Sequence, residues 1–292
     1  MASAAALADA FARVRAAGFV GRATKLADLD LPAAGHLIGV GEDELHAVLD
    51  VETAGGGFDR QGRPKILFEP HVLYRNLAGP ARTHAVGLGI AYPAWKPGAY
   101  PADSYPRLMQ ALAIDETAAL KACSWGLGQI LGENFVAAGY DSPQQMVVAF
   151  VEGGESEQLQ AMVRFIKANH LDDELRAHNW AGFARGYNGP SYAKHGYHTK
   201  LATAFAKWSK IKDTPWSPPR DAVGKPVPIP PVETAPLPPP SAGPVFAPAQ
   251  RNGGSPAAVP PPIATNAEAE KPGFWAGVLA RLRAAHPPQQ KG

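Results

Sequence analysis

Proline placement constrains this chain more than any other feature. Of the 30 prolines in 292 residues, twenty lie beyond Asp213, in runs such as Pro228 to Pro240. Proline removes a backbone donor and fixes φ, so so dense a stretch builds neither helix interior nor sheet and tends toward polyproline II. Residues 211–272 are therefore expected to be a disordered, proline-rich linker. Residues 1–210 must then supply one folding unit, and a hydrophobic content of 46% is enough for a sizeable core. After the linker, Phe274, Trp275, Val278, Leu279 and Leu282 make an apolar stripe beside Arg281 and Arg283. That pattern predicts a short amphipathic helix over 273–286. It is either a peptide making weak contact with a membrane surface or a tail helix without a partner.

A net charge of +2 demands no nucleic-acid partner and suits an anionic polymer without indicating one. With Cys123 as the single cysteine, no intrachain disulfide can form, which is compatible with folding in a reducing compartment. The alanine-rich start has no basic region ahead of an apolar run, so no signal peptide is read, and no apolar stretch is long enough to span a bilayer. The expectation is a monomer made in the cytoplasm, with no nucleic-acid partner and no membrane span.

Along the chain the signals are mostly helical. Leu7, Ala10, Phe11 and Val14 share one face of a helix over residues 2–17. Residues 23–40 carry short apolar pieces among turn residues. Lys65 to Glu69 is a short β-prone run stopped by Pro70. Asn76 to Tyr105 is rich in glycine, proline and aromatics and reads as a long irregular loop. Helices are expected over Tyr105 to Ile114, over Glu116 to Cys123 with Asp115 as N-cap, and after Asp141-Ser142-Pro143. Glu155 to Asn169, Leu171 to His178, Trp180 to Gly186 and Tyr192 to Lys210 complete the helical part. One reading of Ser124 to Gln129 is a glycine-kinked helix start, and a helix is expected after Ile130 up to Gly139.

One carboxylate stands out. In Glu42 to Gly57, Leu45, Val48 and Leu49 recur at i, i+3 and i+4, and the next position on that apolar face is Glu52. Gly55, Gly56 and Gly57 supply a helix stop. Glu52 then sits in the last turn on the core side, where partial burial and the negative end of the helix dipole both favour its protonated form. Such an acid suits the protonation step of glycoside cleavage. The alternative is an exposed glutamate that falls on this stripe by chance.

Other features are weaker taken singly. Glu69 is either a second, base carboxylate or a structural group holding loop amides, and Asp59 and Asp103 are further loop candidates. Tyr100, Tyr105, Trp125, Gln129, Tyr187 and Asn188 have the chemistry to bind sugar, through ring faces and side-chain amides, and each fits a core role equally. His195 and His198 give no zinc pattern, Cys123 has no CxxC partner, and Ser124 lacks a nucleophile-elbow context, so neither metal nor cofactor is expected.

The order of these pieces is more informative. A glutamate at a helix end, an aromatic loop, SWGLGQ and then ARGYNG resembles the order in lysozyme-like muramidases and lytic transglycosylases. VETAGGGFD, GRPKILFEPHVLYR, SWGLGQI and ARGYNGPSYAKHGYHTKL look like the N-acetylmuramidase family of phage and prophage endolysins, from about Val20 to about Trp208. The resemblance implies a mainly α, lysozyme-like α+β domain with a small β element over residues 1–210. It also implies hydrolysis of the β-1,4 bond between N-acetylmuramic acid and N-acetylglucosamine in peptidoglycan glycan strands. Glu52 matches the family's catalytic glutamate, Glu69 lies in a matching block, and release from the cytoplasm would need a holin-like pore. The same motif order also serves a lytic transglycosylase making 1,6-anhydro products, or a non-catalytic wall-binding protein. Many family members carry a wall-binding module before this domain, and too few residues precede Glu42 here for one.

Overall fold

The computed structural model describes residues 4–52, 56–94, 100–189 and 192–219, with Glu52 described by its backbone alone. Helix α1 (Ala4–Ala16) buries Phe11 and Val14, as its spacing predicts. Helix α2 (Asp30–Ile38) occupies part of a stretch read from sequence as turn-rich pieces. Its buried residues Leu31, Ala34, Gly35 and Ile38 do follow the helical period. Pro32 lies in the first turn and Gly39 (φ 73°) ends the helix, so the two turn signals inside residues 23–40 are its start and stop. Helix α3 (Glu42–Glu52) follows at once.

Strand β1 (Ile66–Phe68) runs into α4 (Pro70–Asn76), and α5 (Gly79–Gly87) comes next. The long irregular loop expected from Asn76 therefore contains a helix. Pro80 starts α5 and Ala85 is its buried residue, so almost no apolar period marks it in the sequence. Helices α6 (Tyr105–Leu112) and α7 (Glu116–Lys121) lie where expected, and Asp115 caps α7 by accepting from the Ala118 amide at 2.8 Å.

A second correction concerns SWGLGQI. It is a hairpin, not the start of a helix: β2 (Cys123–Trp125) and β3 (Ile130–Leu131) flank a turn in which Gly126 has φ 65° and Gln129 φ 48°. The sheet order is β1-β2-β3, antiparallel throughout, with Ile66 opposite Trp125 and Trp125 opposite Ile130. A residue with positive φ at both ends of the loop cannot continue a helix, which decides the matter.

Helix α8 (Pro143–Ala168) is capped by Ser142, as the sequence signals, and breaks at Gly154 (φ 72°, ψ −163°). Residues 21–26 cross the break and take up backbone groups it frees: the Arg22 amide donates to Val151 O at 3.2 Å, and the Glu155 amide to Thr24 O at 2.9 Å. Helices α9 (Asp172–Arg176), α10 (Trp180–Asn188) and α11 (Tyr197–Trp208) close the helical part.

Buried side chains form two clusters that share α8. The first gathers α1, α4, α6, α7, β2 and the start of α8, around Phe19, Phe68, Leu108, Trp125 and Phe150. The second gathers α2, α3, α9, α10, α11 and the later turns of α8, around Leu45, Val48, Leu159, Met162 and Phe183. The fold is thus mostly helical with one small sheet. Beyond α11 the described chain lies back over α2 and the start of α3. The Thr214 amide donates to Glu42 Oε1 at 2.5 Å, and the Trp216 ring sits 4.9 Å from that of His36. The expected linker beyond residue 219 and the expected helix over 273–286 lie outside the described residues.

Candidate active site

The apolar face of α3 is buried as its spacing predicts, with Leu45, Val48 and Leu49 in the second cluster. Helix α11 clamps the opposite side. His46 stacks on Trp208 at 3.8 Å, and Asp50 Oδ2 accepts from Trp208 Nε1 at 2.9 Å and Lys207 Nζ at 3.0 Å. The last helical residue is Glu52, at the negative end of the α3 dipole. Its side chain, and residues 53–55 after it, lie outside the described residues.

The chain returns at Gly56 and Gly57, against the first turns of α8 after the Gly154 break. Glu155 is only 4% exposed there. Its Oε1 accepts from the Gly57 amide at 2.7 Å and from Lys25 Nζ at 2.8 Å, while Oε2 accepts from the Leu26 amide at 3.3 Å. One turn on, Gln158 has no exposed surface, and its Oε1 accepts from the Leu127 amide at 2.7 Å. A Cβ at Gly57 would stand 1.9 Å from Gln158 Oε1 and 3.0 Å from the Leu127 amide nitrogen, so a side chain there would push Gln158 or the turn away.

The hairpin turn closes the site from the sheet side. The Lys65 amide donates to Gly57 O at 2.8 Å, and Lys65 O accepts from the Gly126 amide at 2.8 Å and from Gln129 Nε2 at 3.3 Å. Burial of the Lys65 ammonium, with Lys25 nearby, lowers its pKa. Tyr187 on α10 donates its hydroxyl to Gly128 O at 2.8 Å and stacks on Phe183 at 5.3 Å. Tyr187 and Asn188 are partly exposed at the C-terminal end of α10. Gly57, the hairpin turn and the end of α10 are thus tied together by hydrogen bonds.

Glu69 occupies a different setting, at the joint between β1 and α4. It is 5% exposed, accepts from the Tyr100 hydroxyl at 3.2 Å, and lies 3.4 Å from His71 Nδ1. Burial pushes its carboxyl up to about 8, against the smaller opposing effects of the Tyr100 hydroxyl and the Arg75 charge. Burial also lowers the pKa of His71, so at neutral pH the two meet as a neutral acid and a neutral imidazole rather than as an ion pair.

Two of the residues considered for sugar binding are core instead. Trp125 has no exposed surface and spends its indole N–H on Leu120 O at 3.0 Å. Tyr105 is buried against Phe19, donates to Pro64 O at 2.7 Å, and carries Arg63 over its ring at 4.0 Å. A ring enclosed on both faces has none left for a pyranose. Tyr100 is buried on Glu69. Gln129, Tyr187 and Asn188 keep partly exposed surface around the hairpin turn and α10. Asp59 and Asp103 both face Arg63, at 2.7 and 3.4 Å, and hold local turns through the Gln61 and Tyr105 amides.

Glu155, Gln158, Lys25 and Lys65 belong to the site without a motif that marks them in the sequence. The signal that singled out Glu52 was available for two of them. Glu155 and Gln158 fall four residues before Leu159 and Met162, polar residues on an apolar helical face. Among the described residues, no group of three or more His, Cys, Asp or Glu could hold a metal ion. A cleft of about 730 Å³ lies elsewhere, between α1 and the start of α8. Its charged lining residues Arg15 and Glu116 pair with each other at 3.7 Å, which leaves it without a free acid.

Residues 42–209 match the N-acetylmuramidase family, which covers α3 through α11 and every element around the Glu52 helix end. Among solved structures the chain is similar to the endolysin of Burkholderia phage AP3. The identity is 38%, the TM-score 0.59, and the match covers 68% of this chain and 76% of that one. No curated protein matches. The family match spans more than half of the chain, and the chain belongs to the N-acetylmuramidase family.

Proposed function

We propose that Glu52 is the general acid for hydrolysis of the β-1,4 bond between N-acetylmuramic acid and N-acetylglucosamine. As a family member the chain is a peptidoglycan hydrolase of the lysozyme type, acting on the cell wall. The observation that carries the finer reading is the site of Glu52: it ends a helix clamped by α11, and five residues on the Gly57 amide is held by buried Glu155. The dipole end of α3 favours the protonated acid, which would protonate the leaving glycosidic oxygen while water attacks the anomeric carbon. Around the hairpin turn, Asn188 supplies an amide, Tyr187 a ring edge and Gln129 its Oε1 for N-acetyl and hydroxyl groups, since Gln129 Nε2 already donates to Lys65 O and Gly126 O. Glu69 keeps its proton at neutral pH, so its role in this reading is to hold the Tyr100 end of the loop, not to activate water.

The test is digestion of purified peptidoglycan followed by mass spectrometry of the fragment ends. Reducing muramic ends are expected. 1,6-Anhydromuramic ends would make the protein a lytic transglycosylase, and no soluble product would make it a wall-binding protein; either overturns the proposal. Glu52→Gln is close in shape and cannot donate the proton, so lysis should fall about 10²–10⁴-fold. Lysis by that variant at the wild-type rate would remove Glu52 from the mechanism.

A further inference from the structure

We propose that Glu155 and Gln158 are positioning residues for the reaction: Glu155 holds the Gly57 amide, and Gln158 packs against Gly57 and holds Leu127, fixing the chain five residues after Glu52 so that its acid stands where it must act. This rests on the reading of Glu52 as the acid. Packing alone does not call for a glutamate at 155. A carboxylate this buried is costly unless each oxygen is paired, and here the partners come from two separate chain segments. Lys25 and the Leu26 amide belong to the strand of chain that crosses the Gly154 break, and the Gly57 amide belongs to the turn after Glu52. Glu155 therefore joins three pieces of backbone at one point. Gln158 adds a fourth by accepting from Leu127 in the hairpin turn, and its Nε2 donates to Phe150 O at 3.4 Å, across the break in its own helix.

The glycines facing these side chains support the same conclusion. A Cβ at Gly56 would stand 2.6 Å from Lys25 Nζ and 2.7 Å from Glu155 Oε1, and one at Gly57 would stand 1.9 Å from Gln158 Oε1. Gly56 and Gly57 approach as bare backbone, close against Lys25, Glu155 and Gln158. Displacing a reacting group by about 1 Å is worth about 100-fold in rate.

Glu155→Gln tests this in the full chain. The amide keeps one acceptor oxygen, but its NH₂ must face donors, either the Leu26 amide or the Lys25 ammonium together with the Gly57 amide, and the charge that strengthens all three bonds is gone. We expect kcat on soluble glycan fragments to fall about 100-fold with KM little changed, since the lost contact orients the reacting group rather than binding sugar. The protein should still melt well above the assay temperature. A folded Glu155→Gln protein with wild-type kcat overturns the proposal, as does a loss of activity no larger than the fraction unfolded. Should that variant not fold, Gly57→Ala reads the Gln158 side of the same arrangement. Its added methyl would stand 1.9 Å from Gln158 Oε1 and 3.0 Å from the Leu127 amide nitrogen, so either Gln158 gives up its bond to Leu127 or Gly57 moves; a wild-type kcat there overturns the proposal and a lowered kcat at unchanged KM supports it. An active Glu52→Gln protein would sink the acid assignment itself. Wild-type kcat in Glu155→Gln beside an inactive Glu52→Gln would sink only the present inference.

Discussion

Glu69 shows how far burial governs a single residue here. Its carboxyl rises from 4.5 to about 8 because the charged form would lose its water, and the Tyr100 hydroxyl offsets only part of that. Between those two pH values the unfolded chain has released a proton that the folded chain keeps. Stability therefore falls as pH rises from about 4.5 to about 8, and this contribution levels off above that. At about 1.4 kcal/mol per unit the effect is on the order of a few kcal/mol. Glu69→Gln resembles the neutral acid and cannot ionise. Urea unfolding at pH 5 and pH 8 should show a smaller loss of stability for the variant than for wild type. If Glu69 were a base, the variant would instead lose most of its kcat at neutral pH, and we expect most of kcat to be kept.

At the scale of elements, the break in α8 is the decisive joint. Gly154 adopts a conformation open essentially to glycine alone, and a Cβ there would stand 1.9 Å from Thr24 Oγ1. Gly154→Ala should cost about 1–3 kcal/mol. By the usual scaling for a domain of this size, each kcal/mol lowers the melting temperature by about 2–4 °C, readable by calorimetry. Because Glu155 is the next residue, activity per folded molecule should fall as well; a variant that melts as wild type does would show that the helix can straighten there without strain. The α3–α11 clamp is a second joint of this kind, built from the His46–Trp208 stack and the two bonds to Asp50.

For the whole molecule, the boundary of the folded part is the property most open to test. Thr214 and Trp216 contact Glu42 and His36, so chain just past α11 covers α2 and the start of α3. Deleting residues 220–292, whose composition gives little to a core, should leave a folded enzyme with near wild-type melting. Deleting from Asp213 should melt several degrees lower, because one hydrogen bond and one ring contact, together worth about 1–2 kcal/mol, go with it. Equal melting of the two truncated proteins would show that the contacts at 214 and 216 contribute nothing.

The sequence by itself determined most of the helices and the outer limit of the fold. Local signals are enough where local physics decides: the apolar face of α3, the caps Asp115 and Ser142, and the stop at Pro70 are all read from neighbouring residues. It also carried family membership, because whole blocks agree in type and order. Only the tertiary structure decided which aromatics face outward. Trp125 and Tyr105 have the same chemistry as a sugar-binding ring, and what buries them comes from α7, Phe19 and Arg63, none of it readable from their own neighbours. The same holds for SWGLGQI, whose glycines permit either a kinked helix or a hairpin until β1 pairs with it, and for Glu155, which reaches Gly57 across ninety-eight positions of chain. Local periodicity reports which residues leave water, whereas the partner each meets there is set by long-range packing.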